Sequence, residues 1–219
     1  RITPVNSRNE IKEMSCENIV KKLKLPKLYV YYMAQVYKFY VEVLKYPKDK
    51  IRFYELGEEE RSFYNKIHWD LEVELEGLNG FGELCGVHYR SDYDLKSHEK
   101  LSGESQEVFY EDKKFIPHVI EISFGIDRNI YSLLEIFYKE RDNKAVICLP
   151  PKVAPFYCAI FPLVNKDGLD KKAKEIFEDL RKCFDCFYDD SGSIGRRYAR
   201  QDEIGTPVCI TIDYETMKD

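Results

Sequence analysis

The stretch Glu121-Ile122-Ser123-Phe124-Gly125-Ile126-Asp127-Arg128 decides how the first part of the chain is read. Phe115 to Glu121 reads as a strand that ends at Glu121, and Glu121, Ile122 and Ser123 alternate in polarity at that end. Gly125 breaks the alternation, and from Ile126 to about residue 139 the apolar residues recur at helical spacing. Glu121 and Ser123 therefore share one face at a strand end. Gly125 lets the backbone approach a ligand. Arg128 stands at a helix start, where a phosphate is favoured. A carboxylate and a hydroxyl beside such an arginine suit a substrate carrying both an ammonium and a carboxylate. A Glu–Arg ion pair with a serine N-cap accounts for the same spacing, and spacing alone favours that ion pair.

Working outward, the pattern predicts a short amphipathic helix over 16–23 and a stronger one from Pro26 to about Leu44. The second helix carries an apolar stripe of Leu28, Tyr32, Val36, Phe39 and Val43. A strand follows over 51–55. A charged helix is expected over 57–66, with Glu58, Glu59 and Glu60 in its first turn. In 67–75, Trp69, Leu71, Val73 and Leu75 alternate with Asp70, Glu72 and Glu74, which mark the wet face of a strand. The glycine-rich turn 77–82 joins it to a second strand over 83–90, an antiparallel hairpin. Ser91 can cap a helix reaching about residue 100, and 102–114 is a polar excursion. Leu149-Pro150-Pro151 reads as a linker, with a domain boundary near 149–153. Beyond it a strand (157–163), helix (170–183), strand (184–188), helix (193–203) and strand (208–213) make a small α/β unit, whereas the part before it reads as α+β.

A chain of 219 residues suffices for one large domain or two smaller ones. With 44% hydrophobic and 33% charged residues it is globular in composition. No apolar run is long enough for a membrane span, and residues 1–12 lead into no signal-peptide core. The net charge of -5 means that nucleic-acid binding would need a local patch. Seven irregularly spaced cysteines read as free thiols in a reducing cytoplasm. Cys183 and Cys186 form a CxxC with no second pair, which argues against a four-ligand zinc site. His88 and His98 show no metal-ligand spacing and read as packing or surface residues.

A local basic cluster does exist. Arg196, Arg197 and Arg200, with Tyr198, follow Gly192 and Gly195. Arginine forks bind phosphates and base edges, and rings stack on splayed bases. Asp202 and Glu203 can accept from cytosine amino groups. A solvated, salt-bridged helix start explains these residue types equally well. Neither a GxGxxG fingerprint nor a phosphate-loop lysine is present.

Three segments carry a family resemblance. FIPHVIEISFGIDRNIYSLL (115–134) resembles motif 3 of glycyl-tRNA synthetases of the archaeal and eukaryotic type; ELCGVHYRSDYDL (83–95) resembles the strand-turn segment preceding it. SGSIGRRYARQDEIG (191–205) resembles the signature of that family's anticodon-binding domain, and the three stand in the family's order. The resemblance implies an α+β antiparallel-sheet class II synthetase catalytic domain, partial, over 1–150. A truncated α/β mixed-sheet anticodon-binding domain would follow over 151–219. It implies that glycine is activated with ATP to glycyl-adenylate and transferred to tRNA(Gly), in the cytoplasm, without a membrane, by a homodimer formed through parts not in this chain.

Carried over by position, Glu83, Leu84, Gly125, Ile126, Asp127 and Arg128 would bind ATP, with Glu83 acting either through Mg2+ or directly on a ligand. Glu121, Ile122, Ser123, Phe124 and Gly125 would hold glycine. Arg196, Arg197, Tyr198, Arg200, Asp202 and Glu203 would meet the anticodon. In such a reaction the amino-acid carboxylate attacks the α-phosphorus of ATP, so positioning and charge stabilisation dominate. The chain departs from the family in three ways. Motifs 1 and 2 are not found before Leu28, and the family continues beyond Asp219, so a fragment of a longer protein is expected. Tyr54 also stands where relatives carry an arginine. A non-catalytic, nucleic-acid-binding accessory subunit is the alternative. The presence of Glu121, Ser123 and Arg128 speaks for the enzyme.

Overall fold

The alternation of 67–75 builds the middle strand of a five-stranded sheet in the computed structural model, which describes residues 1–218. Two units emerge, Arg1–Ser132 and Leu133–Asp219. In chain order the first holds β1 (Ile2–Thr3), α1 (Cys16–Leu23), α2 (Lys27–Lys38), β2 (Ile51–Glu55), β3 (Ile67–Leu75), β4 (Gly80–Ser91), α3 (Tyr93–Ser102), β5 (Val108–Tyr110), β6 (Lys113–Phe115), β7 (Val119–Phe124) and the start of α4 (Ile126–Phe137). The sheet runs β1-β2-β3-β4-β7, antiparallel except for the short β1–β2 pair.

Cross-strand partners share a face. One face carries Phe53, Leu71 and Cys85 in register, with Trp69 opposite Val87 and Val87 opposite Ile122. Trp69, Leu71, Val73, Cys85 and Val87 are fully buried. Each large apolar side chain removed from water in this way contributes roughly 2–3 kcal/mol. α2 supplies buried Tyr29, Val30, Met33 and Val36, and the Tyr29 hydroxyl donates to the Val87 carbonyl at 2.6 Å. The stripe expected on this helix is therefore rotated. Leu28 is 60% exposed, while Tyr29 and Met33 face inward. Tyr40, in the π-helical turn Phe39–Val43 that ends the helix, is buried as well.

The opposite face is polar. Tyr54, Asp70, Gly86 and Ser123 lie side by side, next to the row His68, His88 and Glu121. A bulge between Leu71 and Glu72 brings Glu83 opposite Glu72. This face is less wet than expected. Asp70 is buried, and Glu72 is paired with Arg52 at 2.7 Å; of the three acids only Glu74 is exposed.

Local expectations failed where turns won over periodicity. Residues 57–66 are turns, not a helix; the Glu60 carboxylate accepts from the Gly57 N–H at 2.7 Å and pairs with Arg8. A segment this short has too little helical cooperativity to resist such partners. Ser91 caps nothing: its φ is +53°, at an irregularity ending β4, and Asp92 precedes α3. The polar excursion contains the β5–β6 hairpin, turned by Glu111 and Asp112, both at positive φ.

The second unit opens with β8 (Tyr138–Arg141) and β9 (Lys144–Ile147), an antiparallel hairpin turned by Asp142 and Asn143, both left-handed. β10 (Cys158–Pro162), α5 (Leu169–Leu180), β11 (Cys186–Tyr188), α6 (Ile194–Ile204) and β12 (Val208–Ile212) follow in the order read from the sequence. The three strands lie parallel in the order β11-β10-β12, and the central one is buried along its whole length. Cys158, Ile160, Leu169, Ala173 and Ile212 form the core, with Ile176, Phe177 and Leu180 against it. The division between units falls at 132/133, before the proline linker. The reason is local: β9 lies against α6, so the hairpin joins the α/β unit. Gly205 closes α6 at φ +81°, where a Cβ would press on Leu149 at 3.0 Å.

Candidate functional sites

On the polar face of the first unit, strand alternation separates the residues assigned to glycine. Glu121 and Ser123 face the polar side; Ile122 and Phe124 turn to the other, where Phe124 stacks against Tyr40. Only the backbone of Ile122 and Phe124 can meet a ligand bound on the polar face. The Glu121 carboxylate accepts from Arg90, whose guanidinium also pairs with Asp94 at 2.7 Å and lies 4.3 Å from the Tyr64 ring. Arg90 belongs to this site by position, and the sequence reading passed over it. The only local signal was its i,i+4 spacing to Asp94.

The Ser123 hydroxyl is 2.9 Å from His88 Nε2, and the Asn65 amide nitrogen is 3.0 Å from His88 Nδ1. His68 packs against His88 with ring centroids 3.9 Å apart and the rings tilted by 41°, and lies at ion-pair distance, 2.8 Å, from Asp70 without hydrogen-bond alignment. Burial, then the neighbouring His68 charge, holds His88 below the usual histidine range. The sequence reading of His88 as a packing or surface residue misses this contact, because Asn65, His68 and Ser123 come from three different segments.

Gly125 opens α4 with its N–H donating to the Leu84 carbonyl at 3.2 Å. Asn129 donates to the Leu84 and Gly125 carbonyls at 2.9 Å each, tying the helix start to β4. Leu84 itself is buried, so its side chain cannot touch a nucleotide. Gly125 needs no left-handed backbone, but a Cβ there would meet the Arg128 stem at 3.3 Å. Ile126, Asp127 and Arg128 are exposed on the first turn. Arg128 pairs with Glu83 at 2.5 Å, with both side chains well exposed (61% and 43%). A pair so exposed is worth little and opens at small cost.

In the second unit the basic cluster splits. Arg197 is 3% exposed, and its guanidinium donates to the main-chain oxygens of Pro162, Asp190 and Gly192, with a longer contact to Ser191. Its donors are spent on its own fold, so the expectation that it reaches an anticodon is corrected. Arg200 is half committed. It pairs with the buried Asp189 carboxylate, which also accepts from the Ser191 N–H, and it donates to the Ser191 carbonyl at 2.8 Å. Arg196 is exposed and pairs with no acid among the described residues. Tyr198 packs edge-on against Phe161 and bonds Thr211 through its hydroxyl at 2.8 Å. Asp202 faces Arg141 loosely at 3.9 Å, and Glu203 is exposed. Among the described residues no group of three or more His, Cys, Asp or Glu could hold a metal ion. No helix among them is long and apolar enough to cross a membrane.

Residues 157–219 match the family model described as "Anticodon binding domain". The glycine–tRNA ligase of Borreliella burgdorferi (strain ZS7) is 39% identical over 96% of this chain and 49% of its own length. Those of Malacoplasma penetrans and Thermobifida fusca are 37% and 36% identical over all of this chain and 48% and 50% of their own lengths. The chain thus spans about half the length of the curated relatives it matches. A crystal structure of prolyl-tRNA synthetase from Cryptosporidium parvum, complexed with L-proline and AMP, superposes with a TM-score of 0.62 at 18% identity, covering 94% of this chain and 42% of that one. The fold is that of a class II synthetase with an anticodon-binding domain, and along nearly its whole length the chain is similar to about half of a glycine–tRNA ligase.

Proposed function

We propose that this chain serves a cytoplasmic glycine–tRNA ligase of the archaeal and eukaryotic subtype. Residues 1–150 would be the back of the catalytic domain and 151–219 the anticodon-binding domain. The observation that carries the reading is the placement of Glu121 and Ser123 together on the polar sheet face, one turn before Arg128 at the start of α4. The similarity to glycine–tRNA ligases supports it. The subtype rests on the motif resemblance alone, since the relatives named above are bacterial.

In this reading Glu121 accepts the glycine ammonium and Ser123 bonds the same small substrate. Arg90, held by Asp94 and Tyr64, stays beside them as a fixed cation. Arg128 leaves Glu83 for ATP phosphate, while the backbone of Gly125, Ile126 and Asp127 passes under the nucleotide. The donor set fits Mg2+, which takes one or two carboxylates and completes its shell with phosphates and water. Glu83 is the carboxylate that would hold it, and the ion would supply charge neutralisation. The glycine carboxylate attacks the α-phosphorus and pyrophosphate leaves; no side chain acts as nucleophile. In the second unit Arg196, Tyr198, Arg200, Asp202 and Glu203 face the tRNA(Gly) anticodon, with Arg197 as an internal brace.

The test is glycine-dependent ATP–pyrophosphate exchange by the protein at the length its own gene encodes, with Arg128→Ala as control. Loss of a positioned charge at a transferring phosphate costs on the order of 100-fold, so exchange by the wild type and its near-loss in the variant are expected. A folded wild type that exchanges with no amino acid refutes the enzyme reading and favours an accessory nucleic-acid-binding subunit.

A further inference from the structure

The polar face contains a chain of contacts that the proposed reaction does not use. It runs from Asn65 through His88 to Ser123, with His68 packed against the imidazole. We propose that His88 is a positioning residue for glycine recognition, acting through Ser123 by setting which way that hydroxyl donates. This inference rests on the glycine-ligase reading above.

Asn65 presents its amide nitrogen, a donor only, to His88 Nδ1. Nδ1 must then accept, which places the ring proton on Nε2. Nε2–H donates to Ser123 Oγ at 2.9 Å. With its oxygen accepting from inside the protein, Ser123 has its own proton left to donate outward, toward an acceptor such as the carboxylate of a bound amino acid. The backbone makes room for this relay at Gly86, which lies opposite Ser123 in the sheet. A Cβ at Gly86 would collide with His88 Nε2 and stand 3.2 Å from Ser123 Oγ.

The relay is sensitive to charge. The charged or titratable groups acting on His88 are His68 and Asp70 on β3, Glu121 on β7 and, farther along its own strand, Glu83. Burial and His68 favour the neutral ring, so the imidazolium forms only below the ordinary histidine value of roughly 6.5. Once formed, it carries a proton on Nδ1 against the Asn65 amide nitrogen. Asn65 must then turn its amide, whose oxygen is buried without a partner. The new positive charge also competes with a substrate ammonium for Glu121. Glycine binding therefore weakens as the pH falls through this range.

The experiment compares wild type, His88→Gln and His88→Ala in the full-length protein by glycine-dependent ATP–pyrophosphate exchange between pH 5.5 and 8.5, with a thermal melt of each. Glutamine keeps an N–H donor without a titrating charge. One positioning hydrogen bond corresponds to about a tenfold change in affinity. His88→Ala is expected to raise the glycine KM about tenfold at pH 8 with kcat within about twofold. His88→Gln is expected to stay within about threefold of wild type at pH 8. The rise in wild-type KM on acidification should be absent in His88→Gln. A glycine KM unchanged in His88→Ala, or a wild-type pH profile kept in His88→Gln, overturns the inference. So does equal KM loss in both variants together with equal loss of melting temperature, which marks a packing role. Absence of exchange by the wild type instead removes the ligase reading, and the inference with it.

Discussion

Neighbouring arginines in one helix should behave oppositely when removed. Arg197 is buried, and its guanidinium holds the main-chain oxygens of Pro162, Asp190 and Gly192 around the end of β10 and the glycine turn before α6. Truncation to alanine removes three charge-assisted bonds. The Asp190 and Gly192 carbonyls can recruit water through the gap, while the Pro162 carbonyl, at the end of a fully buried strand, has poor access to it. A buried acceptor left unpaired costs roughly 1–3 kcal/mol and a bond to a charged group is worth roughly 1.5–3 kcal/mol, and the two are not additive. A net loss of about 3 kcal/mol follows. For a unit of this size that lowers the melting midpoint by roughly 12–24 °C. Arg196, one residue earlier and exposed, should cost no more than about 0.5 kcal/mol when replaced by alanine, while, on the function proposed above, its loss should weaken tRNA binding in a salt-dependent way. Thermal melts by circular dichroism and filter binding of tRNA over a salt series measure both. Equal stability losses in the two variants, or an Arg197→Ala midpoint within a few degrees of wild type, would refute the division of the cluster into a brace and a contact surface.

Two further outcomes follow from burial. Cys85 and Cys186 thiols are each pushed up to about 12, Cys209 to about 11, in every case chiefly by burial. The thiolate is the nucleophile, so at pH 8 these sites should alkylate slowly, while exposed Cys16 and Cys183 react first; peptide mapping after brief iodoacetamide treatment checks the order, and early labelling of Cys85 would contradict it. Leu71→Ala, in the fully buried row beside Trp69, should cost about 3 kcal/mol. Trp69 is the single tryptophan of the chain, so its fluorescence during urea unfolding reports directly on that sheet.

Much of the element order was legible from periodicity. The residues of β3 alternate strictly, and α1 and β2 were read to the residue because one face of each is apolar and the other is not; the β10-to-β12 run was read in the right order, with α5 and β11 shorter than expected. The hairpins β5–β6 and β8–β9 escaped because each strand is only three or four residues long, too short for a period to register. Their turns were visible only as the pairs Glu111-Asp112 and Asp142-Asn143, where left-handed backbone is tolerated best by short polar side chains. The rotated stripe of α2 shows the limit of helical spacing: two stripes one residue apart fit one aromatic-rich sequence, and only the sheet beneath chooses between them.

The sequence by itself determined which residue types stand near a glycine-ended strand and a helix-start arginine, and that an acidic chain carries one local basic cluster. Those are properties of neighbours along the chain. The tertiary structure decided which of these side chains are available. It buried Arg197 among carbonyls and left Arg196 without an acidic partner among the described residues, turned Ile122 and Phe124 away from Glu121 and Ser123, and brought Asn65, His68, His88 and Arg90 to the same polar face. Residue type sets what a group can bond. Whether its bonds are spent inside the fold or offered to a ligand depends on partners distant in sequence, which only strand register and packing bring within reach.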